Sequence, residues 1–327
     1  YYSSSTTLNI GNSITLPIAT SNYGYLIKYN SGGTPQWANV ISADYSYAYG
    51  STTDSSGNVY LSGYYRSNGS SLSLGNSVVL PSTALQHNPF VIKYNTSGTA
   101  QWAKTIATTT NSYANDVALD SSGNVYLTGT FRSTSSIALG NGQYLTSAAN
   151  NSIFLVKYNS SGTAQWAKNI GLTSNNFYGR FVKTDSSGNV YVSGYYSNNT
   201  SPVSLGNSVS LPLTTSAGQY GTRTFIVKYN TGGTAQWSKM INTTSSNSNK
   251  GLAIDSNDNI YIDGYYNSAS STTLGNSFSL PASSHMEAFI IIYDTGGITQ
   301  GFINVSGTSS LSPGINPSRI AVVLLNL

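Results

Sequence analysis

One segment occurs four times along this chain. It reads DSSGNVYLSGYY from Asp54, DSSGNVYLTGTF from Asp120, DSSGNVYVSGYY from Asp185 and DSNDNIYIDGYY from Asp255. Units that recur at a fixed spacing bury their apolar faces against their own copies, so this repeat constrains the fold more than any local propensity does. Within it, Asp-Ser-Ser-Gly-Asn is a tight reversal. Asp120 can hydrogen-bond the backbone two residues on, and Gly123 can take the positive φ that a type I turn with a bulge requires. The run Val125, Tyr126, Leu127, Thr128 that follows suits a strand, so the segment is a β-hairpin. Its letters partly resemble a calcium-binding EF-hand loop, but the later acidic ligands and the closing Glu are missing, and no metal is expected.

The rest of the chain repeats in register. Gly-Asn pairs begin at Gly11, Gly75, Gly140, Gly206 and Gly275, and tryptophans stand at Trp37, Trp102, Trp166 and Trp237. Their intervals of 64 to 71 residues give a period of about 65, so 327 residues hold close to five units. The expected divisions are a partial unit at 1–42, units at 43–108, 109–172, 173–243 and 244–306, and a closing strand at 307–327. Between Asn115 and Ile170, Gly-bearing turns separate strand A (NDVALD), B (NVYLTGTF), C (IFLVKYN) and D (TAQWAKNI), with a small hairpin turning at Gly140 and Asn141 between B and C. No segment has helical periodicity or a capping box ahead of an apolar run, so very little helix is expected.

Strand C is apolar on both faces at Phe90, Val91 and Ile92 and again at Phe225, Ile226 and Val227, so both faces must be covered. Four-stranded meanders covered on both faces and repeated at a fixed period predict an all-β β-propeller of about five blades. Strand A holds the smallest residues (Ala48, Tyr49, Gly50; Val117, Ala118, Leu119; Gly251, Leu252, Ala253) and is expected innermost. Strand D is expected outermost, its Trp a plug between adjacent blades. In the tail, Ile320 to Val322 align with strand A, while Tyr1 falls at the end of a strand B. The tail, Arg319 to Leu325, is therefore expected to supply strand A to the first blade and close the ring.

The pairing of D-x-x-G-N-V-Y-[VL]-[ST]-G with F-[VIL]-[VI]-K-Y-N-x-x-G-x-x-Q-W-[AS]-K resembles the bacterial β-propeller repeat called the SBBP repeat, over nearly the whole chain. The resemblance implies a propeller of the kind found in secreted or cell-surface proteins of bacteria and in some large viruses, with no common catalytic activity. The last unit departs from it. Gly301 replaces the Trp, Ile292 the Lys, and Asn257 and Asp258 stand in a turn without Gly.

Charged residues are only 7% of the chain, and the formal charge of +4 arises from 14 Lys and Arg against 10 Asp and Glu. The lysines recur singly at repeat positions, so no basic run is present to track nucleic acid. Absence of Cys removes disulfides and thiolate chemistry, and no stretch reaches the 18 apolar residues of a membrane span. A start at Tyr1, without Met or a signal-like segment, reads as a processed or truncated product. Asn-x-Ser/Thr sequons at Asn68, Asn95, Asn150, Asn159, Asn198, Asn199, Asn242 and Asn304 permit glycosylation.

No catalytic constellation emerges, and no cofactor is expected. His87 and His285 fall in links between strands B and C and read as exposed loop residues; only Glu287 accompanies the second. Asp54, Asp120, Asp185 and Asp255 belong to the turns, and the remaining acids are scattered over different units. Lys28, Lys93, Lys157 and Lys228 of strand C, and Lys104, Lys168 and Lys239 beyond the Trp, are expected to lay their stems on the neighbouring Trp with some cation-π gain. The pairs Tyr64 and Tyr65, Tyr195 and Tyr196, Tyr265 and Tyr266 end strand B. One ring of each must be core, and Tyr65, Tyr196 and Tyr266 are the candidates to stack on sugars. The sequence therefore predicts a non-enzymatic structural or adhesive module of a cell surface, extracellular assembly or virus particle, with protein partners or self-assembly. A lectin-like propeller and a hydrolase or lyase with its site at the propeller axis are the alternatives.

Overall fold

The computed structural model of the chain describes residues 1–83, 86–171, 176–197, 202–212, 222–245 and 247–305. Among the described residues there is no helix. The chain divides into two compact units, Tyr1–Ala149 with Phe154–Ala167, and Asn150–Ile153 with Lys168–Leu327.

Four sheets each contain four strands in chain order A-B-C-D. Strand A is Tyr45–Thr53, Tyr113–Leu119, Asn176–Thr184 or Asn247–Ile254. Strand B is Val59–Arg66, Val125–Ser133, Val190–Ser197 or Ile260–Ser268. Strand C is Asn88–Tyr94, Ala148–Tyr158, Thr222–Tyr229 or Ser283–Tyr293. Strand D is Ala100–Thr105, Ala164–Ile170, Ala235–Met240 or Thr299–Val305. The first sheet has only B, C and D, as Tyr2–Ser4, Ala19–Tyr29 and Pro35–Ile41. The expected closing strand, 307–327, lies outside the described residues. A two-stranded hairpin sits between B and C of every sheet, and its Asn donates to the first carbonyl of strand D five times over, from Asn12, Asn76, Asn141, Asn207 and Asn276 at 2.8–2.9 Å.

Turns A–B and C–D lie at one end of each sheet, and the B–C and D–A links at the other. Gly57, Gly123 and Gly188 take φ of 76–79°, as the type I turn with a bulge demands. Where the last unit lacks Gly, Asp258 takes φ 62°, and its carboxylate accepts bonds from Ser186 N and Oγ. Near the link end every strand A carries a bulge, at Tyr49, Asn115, Arg180 and Lys250. A Cβ on Gly63, Gly129, Gly194 or Gly264 would lie 1.9–2.2 Å from a strand A carbonyl oxygen, which accounts for the Gly two residues before Tyr65, Phe131, Tyr196 and Tyr266.

Cores fill the spaces between sheets. In the first unit, Ile41 and Ala43 pack with Leu61, Phe90 and Ile92, and Tyr60, Val91 and Ile106 pack with Val117, Leu127 and Val156. In the second, Tyr191, Ile226 and Ile241 pack with Leu252, Ile262 and Ile291. Phe90, Val91 and Ile92 have no exposed surface, as strands covered on both faces require. A tryptophan latch joins the first sheet to the second, the second to the third and the fourth to the fifth. Nε1 of Trp37, Trp102 and Trp237 donates to a carbonyl in the next C–D turn, at Thr96, Ser160 and Thr295, over 2.9–3.0 Å. The turn glycine fits against the indole, and a Cβ on Gly98, Gly162 or Gly297 would fall 2.7–3.0 Å from it.

Candidate functional site

The polar residues shared by the repeats bond to one another. In each A–B turn one carboxylate oxygen caps two backbone N–H groups, and the other accepts from an Asn amide and a Tyr hydroxyl, as at Asp120 with Ser122, Asn124 and Tyr126. Lys93, Lys157 and Lys228 place Nζ 3.8–4.0 Å from the carboxylates of Asp54, Asp120 and Asp185. The same ammonium groups lie 5.1–5.3 Å from the rings of Tyr60, Tyr126 and Tyr191. Register sets these lysines between a strand B tyrosine and a strand D tryptophan, as Lys93 lies between Tyr60 and Trp102, and the cation-π contact of the ammonium is with the tyrosine ring. Burial works against charging Asp54, yet bonds from Asn58 and Tyr60 and the charge of Lys93 hold its carboxyl below the usual range. No group of three metal-ligating side chains occurs among the described residues.

The tyrosines assigned to sugar stacking are corrected. Tyr65, Tyr196 and Tyr266 have no exposed surface. Their hydroxyls donate to the carbonyls of Pro81, Pro212 and Pro281 at 2.6–3.1 Å, as Tyr2 does to Pro17. Alternation along strand B turns the second ring of each pair into the space between sheets, so it is core and cannot meet a pyranose.

The other ring of the second sheet's pair enters an aromatic cluster at the link end of the first unit. Tyr64 stacks on Tyr47 at 5.2 Å and meets Tyr113 edge-on at 4.8 Å. Tyr45 stacks on His87 at 5.3 Å and bonds Tyr47 through their hydroxyls at 3.0 Å. Tyr1 lies 4.0 Å from Tyr47, and Asn22 donates to the Tyr47 hydroxyl. The bulge turns Tyr49 outward, leaving it 52% exposed. The guanidinium carbon of Arg66 lies 5.8 Å from the Tyr45 ring. His87, expected as an exposed loop residue, is half-buried; burial and then Arg66 lower its pKa, keeping the imidazole neutral. His285 is exposed as expected, but on strand C. The sequence signal for the cluster was the alternation Tyr45, Tyr47, Tyr49, hidden because strand A was read as the strand of small residues.

A second variable place lies opposite the buried tyrosines. Tyr65, Tyr196 and Tyr266 pair across the sheet with Asn88, Arg223 and Glu287. All three partners are buried. Asn88 accepts from Thr108 N and borders a cleft of about 380 Å³ lined by Pro81, Thr83, Gln86, Thr105 and Thr108. Glu287 accepts from the Tyr266 hydroxyl and the Asn304 amide. Burial opposes ionisation of Glu287, but these bonds hold its pKa down.

The sequons divide by environment. Asn68 and Asn242 are exposed. Asn95 and Asn159 cap their own C–D turns through Oδ1, Asn304 is held by Glu287, and Asn150 is half-buried on strand C. Asn198 and Asn199 lie outside the described residues.

Among curated proteins, the chain is similar to a WD repeat-containing protein, L264, of Acanthamoeba polyphaga mimivirus. The two are 27% identical over 336 residues, covering 86% of this chain and 24% of that protein. The chain thus spans about a quarter of that relative's length. Among solved structures, a protein of unknown function from Dyadobacter fermentans DSM 18053 aligns with a TM-score of 0.39 and 10% identity over 85% of this chain and 82% of that one. No family model matches the chain. The repeated four-stranded sheets and the WD-repeat relative together point to a β-propeller type of architecture.

Proposed function

We propose that the chain is a β-propeller of five blades, of the SBBP kind its motifs resemble, whose tail completes the first blade. It acts as a non-enzymatic interaction module, structural or adhesive, displayed on a cell surface, an extracellular assembly or a virus particle. One observation carries the interaction reading. Most residues common to the repeats hold the sheets together, whereas Tyr45 and Tyr49, which have no tyrosine counterpart in the other strands A, extend the Tyr47–Tyr64–Tyr113 cluster at the link end and leave Tyr49 open on its surface. Tyrosines of this kind are rigid, amphipathic anchors for a partner.

A lectin-like reading is favoured by Tyr49, because an open phenol face beside hydroxyl and amide donors suits a sugar ring. Binding of the purified chain to a glycan array and to intact cells or particles tests both readings. Saturable binding to cells or particles that Tyr49→Ala weakens at least tenfold, with unchanged melting, supports the interaction surface. Specific array signals that the same substitution abolishes assign the surface to sugars. Turnover of glycoside or ester substrates without any such binding would overturn both in favour of an enzyme.

A further inference from the structure

Arg223 is the largest side chain with less than 2% exposure among the described residues. It opens strand C of the fourth sheet, across from Tyr196. Its Nη1 donates to the carbonyls of Thr222 and Ser245, and Ser245 is itself exposed. The guanidinium is therefore fixed on one side, one layer beneath the surface. Its other side, the Nε and Nη2 edge, is buried with no hydrogen-bond partner among the described residues. Among the described residues no acidic group acts on it; burial lowers its pKa, and Tyr196 works in the opposite direction. The nearest acids in sequence, Asp185 and Asp255, cap A–B turns at the far end of the sheet.

A buried guanidinium without a counter-charge costs several kcal/mol in general, and folded chains supply a carboxylate or take an anion from solution. The free edge determines which anion fits. Nε–H and Nη2–H point in parallel and match two oxygens of one carboxylate, sulfate or phosphate group. The same repeat position in the second sheet, Asn88, borders an open cleft. In the fifth sheet it is Glu287, whose Oε2 accepts from the Tyr266 hydroxyl and the Asn304 amide.

We propose that Arg223 is the receptor of an oxyanion site in the fourth sheet, which takes the carboxylate, sulfate or phosphate group of a soluble ligand on its Nε–Nη2 edge. The site is independent of the tyrosine surface, so either can fail without the other. Its test is thermal melting of the whole chain in sodium sulfate, phosphate, acetate and glucuronate against sodium chloride at equal ionic strength. Arg223→Asn, which installs the residue of the second sheet, and Arg223→Lys, which keeps the charge without the fork, are measured alongside. The wild type is expected to gain about 2 °C or more from oxyanions over its gain in chloride, an increment that both variants lose. Saturation by glucuronate far below the inorganic ions would make the ligand a sugar acid, and equal responses a free oxyanion. Titration of the Arg223 Nε–H resonance, assigned by its loss in Arg223→Lys, reads the site directly if Arg223→Asn fails to fold. An unmoved resonance, or the same oxyanion increment in the wild type and Arg223→Lys, would overturn the proposal.

Discussion

Glycines of the same conformation do different work in this repeat. Gly123 holds φ 76° and has no neighbour closer than 3.7 Å to the point a Cβ would occupy, whereas Gly162 holds φ 78° with the Trp102 indole 3.0 Å from that point. Gly123→Ala should therefore cost about 1 kcal/mol through the backbone alone, and Gly162→Ala roughly 2 kcal/mol or more, because the latch must also shift. Ser122→Ala should be nearly silent, since its backbone rather than its hydroxyl meets Asp120. Urea unfolding of the three variants checks the order. Asp263 offers a pH test. It stands where Ser62 and Ser193 stand in other sheets, and burial raises its pKa to about 6. The folded value lies above the unfolded one near 3.9, so its contribution is present below about pH 4 and is lost as pH rises through about 6. Asp263→Ser should then match the wild type near pH 4 and exceed it at pH 7 by on the order of 2 kcal/mol after allowance for partial screening. Parallel stability curves for the two proteins from pH 4 to 7 would refute the assignment.

Each sheet is a meander that cannot bury both faces alone, so stability at the element scale resides in what passes from one sheet to the next. The Trp102 bond to Ser160 is such a link. Trp102→Phe keeps most of the packing and removes the donor, which should cost about 1 kcal/mol. Trp102→Ala also removes a half-buried ring and should cost about 3 kcal/mol. Equilibrium unfolding distinguishes the two, and equal losses would mean that the bond rather than the ring secures the junction. The fifth sheet has Gly301 at the Trp position, opposite Ile292 rather than a lysine. The fifth sheet therefore presents neither the latch donor on strand D nor the cation on strand C, a difference visible in the sequence as the departure of the last unit.

For the whole molecule the open question is the first sheet, which has strands B, C and D and no described strand A. Deletion of residues 318–327 decides between a tail that completes this sheet and one that adds to a neighbouring molecule. Completion predicts a large fall in the melting temperature of the monomer. Unchanged melting with lost self-association, measured by sedimentation, would favour strand addition between copies.

Period and alternation are local properties, and they were sufficient for the all-β class, the four-stranded unit, the positions of its turns and the demand that both faces of strand C be covered. They were sufficient because turn chemistry and side-chain alternation depend on neighbours one to four residues apart. The partners of those residues were a different matter. That strand B glycines answer to carbonyls of strand A, that strand C lysines set their ammonium groups over tyrosines, that Trp102 reaches Ser160, and that Tyr65, Tyr196 and Tyr266 are core while Tyr49 is open all depend on cross-strand register and on packing between sheets. A one-residue shift of register reverses every such assignment. The buried, unpaired edge of Arg223 belongs to the same class, because burial is a property of what packs around a residue, and only the tertiary structure brings those neighbours together.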